Sequence, residues 1–260
     1  HPRQKLVHVS SGHEDIGRVF QADLSIVCDM TEFAKAASEL EPNDQHPWEG
    51  WVKQGHKNYQ EFSLDKGNMQ DADLAGVMKW LDETLPDDTI VSFGAGNYTQ
   101  WVQRYFSHNQ FGTQLATQSA VMGYSVPAAI SASMLHQERT ILSFAGDGCF
   151  LMNGQEIATA VRYNTNVKFI VINNSRYGSI QMHQEKRFPE RSIAVDLTNP
   201  DFAALARAYG MPAMQVHTID DFIKSFIELN KTDGPCLIEI LTDPNVITPS
   251  IMLSDLRKGS

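Results

Sequence analysis

The 260-residue sequence predicts an α/β fold, a doubly wound parallel sheet with helices on both faces, over residues 72–250. Three observations predict it. Short runs that are apolar throughout ("DTIVSF", "TILSFA", "NVKFIVINN", "PCLIEIL") alternate with stretches of helical period. Strands apolar on both sides belong to parallel sheets covered above and below. Glycine-rich polar loops, "FGAGN" and "AGDGC", follow two of these strands directly, where such sheets bind ligands.

Residues 1–42 read strand ("KLVHV"), short helix ("EDIGRVF"), strand ("SIVCD") and helix ("MTEFAKAASEL"). Residues 43–71 are rich in Pro, Asn, Asp and Gly and hold little apolar periodicity, so they read as a linker. The first 42 residues are then expected to be the remnant of a preceding central α/β domain. "LAGVMKWLDETL" is helical, with Leu74, Val77, Met78 and Leu81 on one face. "DTIVSF" is a strand and "YTQWVQRYF" a helix. "MGYSVPAAISASMLH" is another helix, with Pro127 near its first turn. "TILSFA", "GQEIATAVRYN" and "NVKFIVINN" follow as strand, helix and strand. "NPDFAALARAYG" reads as a helix with Asn199 as N-cap, Pro200 first inside and Gly210 as C-cap. "IDDFIKSFIEL" and "PCLIEIL" close the series, and 251–260 is a C-terminal tail.

The composition, 42% hydrophobic and 20% charged, suffices for an ordinary core, and the net charge of −10 argues against nucleic acid or an anionic membrane as partner. Cys28, Cys149 and Cys236 are far apart and form no C-x-x-C, which fits a reducing, cytoplasmic setting. No leader or membrane-spanning run is read; the most apolar stretch, "VKFIVI", has strand length. A start at "HPRQKLVHV" and an end at "RKGS" suggest a piece of something longer.

Asp147 follows one apolar strand and Asn174 ends the next, 27 positions on, with one helix between them. The two strands are therefore parallel, and both side chains emerge at the same sheet edge. A carboxylate with an amide oxygen suits a hard cation such as Mg²⁺, which keeps phosphate oxygens in its shell. Gly146 and Gly148 let backbone approach such a ligand closely, and the start of the helix after "FGAGN" is a further anion site. Taken singly, Gly-Asp-Gly is more often a tight turn and Asn-Asn a helix cap. Together, at two strand ends one βαβ unit apart, they point to metal and diphosphate.

"GDG" followed some 27 positions later by "NN" resembles the diphosphate motif of thiamine diphosphate-dependent enzymes. "TQSAVMGYSVPAAISASML", "GDGCFLMNGQEIATAVRYN" and "NNSRYGSIQMHQEKRFPER" are similar to stretches of acetolactate synthase-like members. The resemblance implies Mg²⁺ ligation by Asp147, Asn174 and the backbone carbonyl of Arg176. It implies diphosphate binding by backbone of Gly148, Cys149, Gly178 and Ser179, with Gly146, Asn97, Tyr98 and Ile180 also at the cofactor. Met122 matches the apolar residue that props the cofactor in a bent shape; on spacing alone it reads as helix core. The Ala120 carbonyl would accept from the cofactor's amino group.

Three departures stand out. Asn97-Tyr98 replaces a common Gln-His, Cys149 stands where Ser is common, and a thiol donates poorly. His183 falls where acetolactate synthases have Trp at the acceptor pocket, so Ile180 and His183 are the candidates for the substrate wall. The family's activating glutamate comes from an N-terminal domain, and Glu14, Glu32 and Glu156 lie wrongly to replace it. The resemblance thus implies the cofactor-binding portion of a decarboxylase or carboligase for a small 2-oxo acid, homodimeric or homotetrameric when complete. The chain alone is expected to be inactive, and flavin binding is not readable. The alternative is an inactive cofactor-binding or assembly module that needs a partner chain. A Rossmann nucleotide site is disfavoured, since G-x-G-x-x-G is missing.

Overall fold

The computed structural model describes residues 3–42, 45–64, 73–231 and 233–258. They divide into two compact units, His1–Asn58 and Tyr59–Ser260. In the first, β1 (Val7–Ser10) and β2 (Leu24–Val27) pair in parallel, and α1 (Met30–Ser38) follows, capped by Asp29 Oδ1, which accepts from Thr31 N at 2.8 Å. The helix expected at "EDIGRVF" is only a 3₁₀ turn, His13–Asp15. Gly17, at φ +77°, turns the chain before a second helical turn can form. Residues 43–71, read as a linker, contain α2 (Glu49–Ser63), none of whose residues is buried. The boundary between the units falls within it.

The second unit holds a six-stranded, wholly parallel sheet in the order β4-β3-β5-β6-β8-β7. The strands are β3 (Ile90–Phe93), β4 (Gln114–Ala116), β5 (Ile141–Gly146), β6 (Val167–Asn173), β7 (Ala213–Val216) and β8 (Cys236–Leu241). Every residue of β3 and β6 is buried, which is what near-continuous apolar runs require of central parallel strands. The helices α3 (Leu74–Thr84), α4 (Thr99–Tyr105), α5 (Ser125–Leu135), α6 (Asp147–Asn153), α7 (Ile157–Arg162), α8 (Gly178–Arg187), α9 (Phe202–Ala208) and α10 (Ile219–Leu229) flank it. Leu74, Val77, Met78 and Leu81 are all buried on α3, whose cap is Asp73. Phe150 of α6 meets Phe202 of α9 edge-to-face at 5.3 Å.

Three expected helices are corrected. The cap of α9 is Asp201, whose side chain accepts from Ala204 N at 2.7 Å; Asn199 and Pro200 lie outside, and Asn199's side chain has other partners. The stretch expected to be one helix over "GQEIATAVRYN" is a 3₁₀ turn, Gly154–Glu156, continuing into α7. Met122 and Gly123 form a turn ahead of α5 rather than its first residues. At the end of the chain β9 (Val246–Thr248) pairs antiparallel with β10 (Ile251–Met252), and α11 (Leu253–Lys258) packs on α8. None of the helices described is long and apolar enough to cross a membrane.

Candidate functional site

From β3 the chain goes out to the edge strand β4 and then returns to β5 on the other side of β3. The order therefore reverses between β3 and β5, and a crevice opens beyond their carboxyl ends. The loops 94–98 and 146–148 leave the sheet there. β6 pairs with β5 in register, Gly146 opposite Ile172, so Asn173-Asn174 emerges beside Asp147.

Asp147 is the first residue of α6 and is only 3% exposed. Its Oδ1 accepts from Gly148 N and its Oδ2 from Asn199 Nδ2, both at 2.8 Å. Burial holds its pKa above the usual aspartate range, and hydrogen bonds from Gly148, Asn199, Ser175 and Arg176 offset part of the rise. Beyond β6, Ser175 sits at φ 55°, turning the chain so that Arg176 N donates to Asn174 Oδ1 at 3.1 Å. An antiparallel strap crosses this turn. Tyr177 N donates to Val195 O at 2.8 Å and Leu197 N to Ser175 O at 2.9 Å. These two bonds flank Arg176 and do not use its carbonyl; its guanidinium meets Asp196 at 3.2 Å.

A cleft of about 230 Å³ opens over these turns. It is lined by every residue expected to hold cofactor or metal: Asn97, Tyr98, Ala120, Met122, Gly146, Asp147, Gly148, Cys149, Asn174, Arg176, Gly178, Ser179 and Ile180. Ala95, Gly96, Ile172 and Tyr177 complete the lining, in which Asp147 is the one acid among the described residues. His183 does not line the cleft and is exposed on α8. Met122 is partly buried and packs on the core from its turn. Ala120, at φ 52°, holds an unusual backbone conformation at the rim.

Two of the lining side chains are occupied elsewhere. The Tyr98 hydroxyl turns inward, accepting from Gly94 N at 2.9 Å and lying 3.3 Å from Phe144 O and 3.5 Å from Cys149 Sγ. Burial first, then Cys149, raises its pKa well above a free phenol's, so it stays protonated. The Cys149 sulfur in turn accepts from Gly123 N at 3.1 Å. Gly94 is glycine for a steric reason: a Cβ there would lie 2.6 Å from Cys149 Sγ. Asn97, by contrast, accepts from Ser179 Oγ at 2.8 Å and leaves Nδ2 buried with no partner among the described residues.

The residues that sequence reasoning missed lie behind or beside the motif. Tyr177 packs where a Cβ on Gly148 would meet its ring at 2.6 Å. Asn173, the inward member of the Asn-Asn pair, donates to the buried Glu239 at 2.7 Å. Strand alternation offered a signal here, since neighbours at a strand end face opposite sides and only one of the two asparagines can face the cleft.

Geometry of this kind, a carboxylate and an amide at adjacent parallel strand ends over a glycine-walled crevice, defines an α/β domain with its ligand crevice at a switch point in strand order. The family model described as "Thiamine pyrophosphate enzyme, C-terminal TPP binding domain" matches residues 94–240, more than half of the chain, and the chain belongs to that family. It is similar to the acetolactate synthase isozyme 2 large subunit of Escherichia coli (strain K12), 25% identical over 244 residues, covering 93% of this chain and 44% of that protein. A probable acetolactate synthase large subunit of Methanocaldococcus jannaschii is 28% identical over 265 residues, covering 96% and 44%. The acetolactate synthase large subunit of Lactococcus lactis subsp. lactis is 28% identical over 244 residues, covering 91% and 41%. The chain thus spans less than half the length of these relatives.

Proposed function

We propose that the chain is the diphosphate- and Mg²⁺-holding portion of a thiamine diphosphate-dependent enzyme, acetolactate synthase-like, that decarboxylates or joins small 2-oxo acids. The observation that carries this reading is the pairing of Asp147 and Asn174 at neighbouring strand ends over one cleft. The residues present suit both groups. The carboxylate and amide oxygens are hard donors, and the unpartnered Asn97 Nδ2 is a buried donor left over for an anion.

Asp147, Asn174 and the Arg176 carbonyl would hold Mg²⁺. The backbone of Gly148, Cys149, Gly178 and Ser179 would hold the diphosphate, with Met122 and the Ala120 carbonyl beside the pyrimidine. Thiamine diphosphate supplies, when bound, an electron sink for the bond broken beside a 2-oxo acid's carbonyl. Met122 would fill the space an extended cofactor needs, so that binding energy pre-orients the reacting groups. Among the described residues Asp147 is the one acid lining the cleft, and in this reading it would hold the metal. The resemblance assigns proton transfer to a glutamate from an N-terminal domain, which a partner subunit of a homodimer or homotetramer would supply. Ile180 lines the cleft and would border the substrate, whereas His183, outside the cleft, could do so only beyond its rim.

The domain division goes with this reading: 1–42 from a preceding domain, 43–71 joining it to 72–250, and 251–260 as a tail. The free Cys28, Cys149 and Cys236 suit a reducing cytoplasmic setting. An assembly module without activity is the second reading, favoured by the lack of a second acid among the described residues that line the cleft.

The test is the melting temperature of this chain with Mg²⁺ and thiamine diphosphate, against either alone and against chelator. Both together should stabilise it, by about 2.7 kcal/mol at a hundred times the dissociation constant. Asp147→Ala should abolish the response. A response that survives in Asp147→Ala would overturn the assignment.

A further inference from the structure

We infer that Asn199 is a positioning residue for the metal-binding carboxylate, with Glu239 as its buried anchor; the inference rests on the reading of Asp147 as a metal ligand. One amide spans two strand ends. Asn199 Nδ2 donates to Asp147 Oδ2 at 2.8 Å and to Asn173 Oδ1 at 2.9 Å. Turned over, the amide would set its oxygen against two acceptors, so its orientation is fixed by chemistry. Its Oδ1 is buried without a partner among the described residues, so the side chain is held by what it donates.

Behind it, Asn173 Nδ2 donates to Glu239 Oε1 at 2.7 Å. Glu239 lies on the central strand β8 and is fully buried. Its Oε2 accepts from Gln215 Nε2 at 3.0 Å and from Ala203 N at 3.3 Å. The carboxylate is thereby gripped from β6, β7 and α9 at once. A carboxyl group in such a place is costly unless its bonds are made, and these are.

The path Glu239–Asn173–Asn199–Asp147 therefore runs from the middle of the sheet to the metal-facing carboxylate. The backbone leading to Asn199 is also the strap that crosses the Asn174–Arg176 turn through Val195 and Leu197. One residue thus couples Asp147 to the turn that carries the other two ligands. Hydrogen-bond partners behind metal ligands typically set metal affinity by about 10–100-fold.

The test uses the whole chain with saturating thiamine diphosphate and Mn²⁺ in place of Mg²⁺, bound ion being read by electron paramagnetic resonance. Asn199→Ala should weaken Mn²⁺ binding about 10–100-fold. Asp201→Ala, which removes the cap of α9 two residues away, should lower the melting temperature and leave Mn²⁺ affinity unchanged. Should the alanine variant not fold, Asn199→Ser is read instead, with the same sign expected. Mn²⁺ affinity within about twofold of the unaltered chain, or loss no larger than in Asp201→Ala, would overturn the inference while the metal site stands. If the unaltered chain binds no Mn²⁺, or Asp147→Ala binds it equally, the metal reading fails and this inference falls with it.

Discussion

Tyr98 and Cys149 stand where the family's polar contacts to phosphate are expected, yet each faces inward. Together with Gly94, Gly123 and Phe144 they form a knot that ties the loop after β3 to the start of α6 and to the turn before α5. Tyr98→Phe would leave the buried Gly94 N–H without its acceptor, a loss of about 1–3 kcal/mol in chemical denaturation. Cofactor affinity should change far less, because the hydroxyl does not face the cleft; a larger effect on affinity than on stability would show that Tyr98 reorients on binding. Asp147 makes a second prediction. Its pKa is raised by burial, so the protonated form, which cannot ligate, persists to higher pH than for an ordinary aspartate. Mg²⁺ affinity should fall as pH drops through that raised value, with the onset above the usual carboxylate range. Calorimetric titration across pH checks this, and an onset at the ordinary value would mean that the site hydrates Asp147 more than its burial implies.

Among the elements, α11 meets α8 at a half-buried ion pair. Glu185 accepts from Arg257 Nε and Nη2, both at 3.0 Å, from Ser192 Oγ at 2.7 Å and from Glu190 N at 2.8 Å. Arg257 above all lowers the Glu185 pKa to about 2. A carboxyl group depressed in the fold stabilises it above its unfolded value, 4.5 here, and the contribution is lost between that pH and about 2. Arg257→Ala should free residues 253–258 to hydrogen exchange at neutral pH, and the unaltered chain should show the same loosening only on acidification. Equal protection in the variant would mean that α11 is held by its apolar contacts instead. The central strands β3, β5, β6 and β8 were legible because parallel burial demands apolar residues on both faces. The edge strands β4 and β7 were not: they are short, partly exposed, and lack a continuous apolar run. Asn199 illustrates the limit more sharply. Asn-Pro before a helix looks like a cap, but Asp201 takes that role and frees the Asn199 side chain for Asp147. Asp147 and Asn174 could be read from their strand ends, whereas the bonds joining Asn173, Asn199 and Glu239 arise only from adjacency in the sheet.

On the scale of the whole molecule, the buried apolar residues among those described all lie between Leu74 and Leu253. The described residues of the first unit include none, and its parallel pair β1–β2 leaves Val7, Leu24 and Val27 each about half exposed or more. A two-stranded sheet with no buried face is marginal by itself. Parallel strands also need cover on both sides, which fits the proposal that these residues belong to a larger preceding domain. The folding free energy should then reside almost wholly in the second unit. A chain of residues 59–260, which keeps the Arg104 Nε bond to Phe62 O, should melt in one cooperative transition within about 4 °C of the full chain, roughly the shift for 1 kcal/mol at this size. Residues 1–58 alone should show no cooperative transition by calorimetry. The response to Mg²⁺ and thiamine diphosphate should travel with 59–260, because the cleft is lined entirely from Ala95 to Ile180. A truncated chain that melts with the full chain but no longer responds to the two ligands would show that the first unit contributes to binding despite its lack of a core. One that does not fold at all would mean that stability is shared across the division, contrary to the burial pattern.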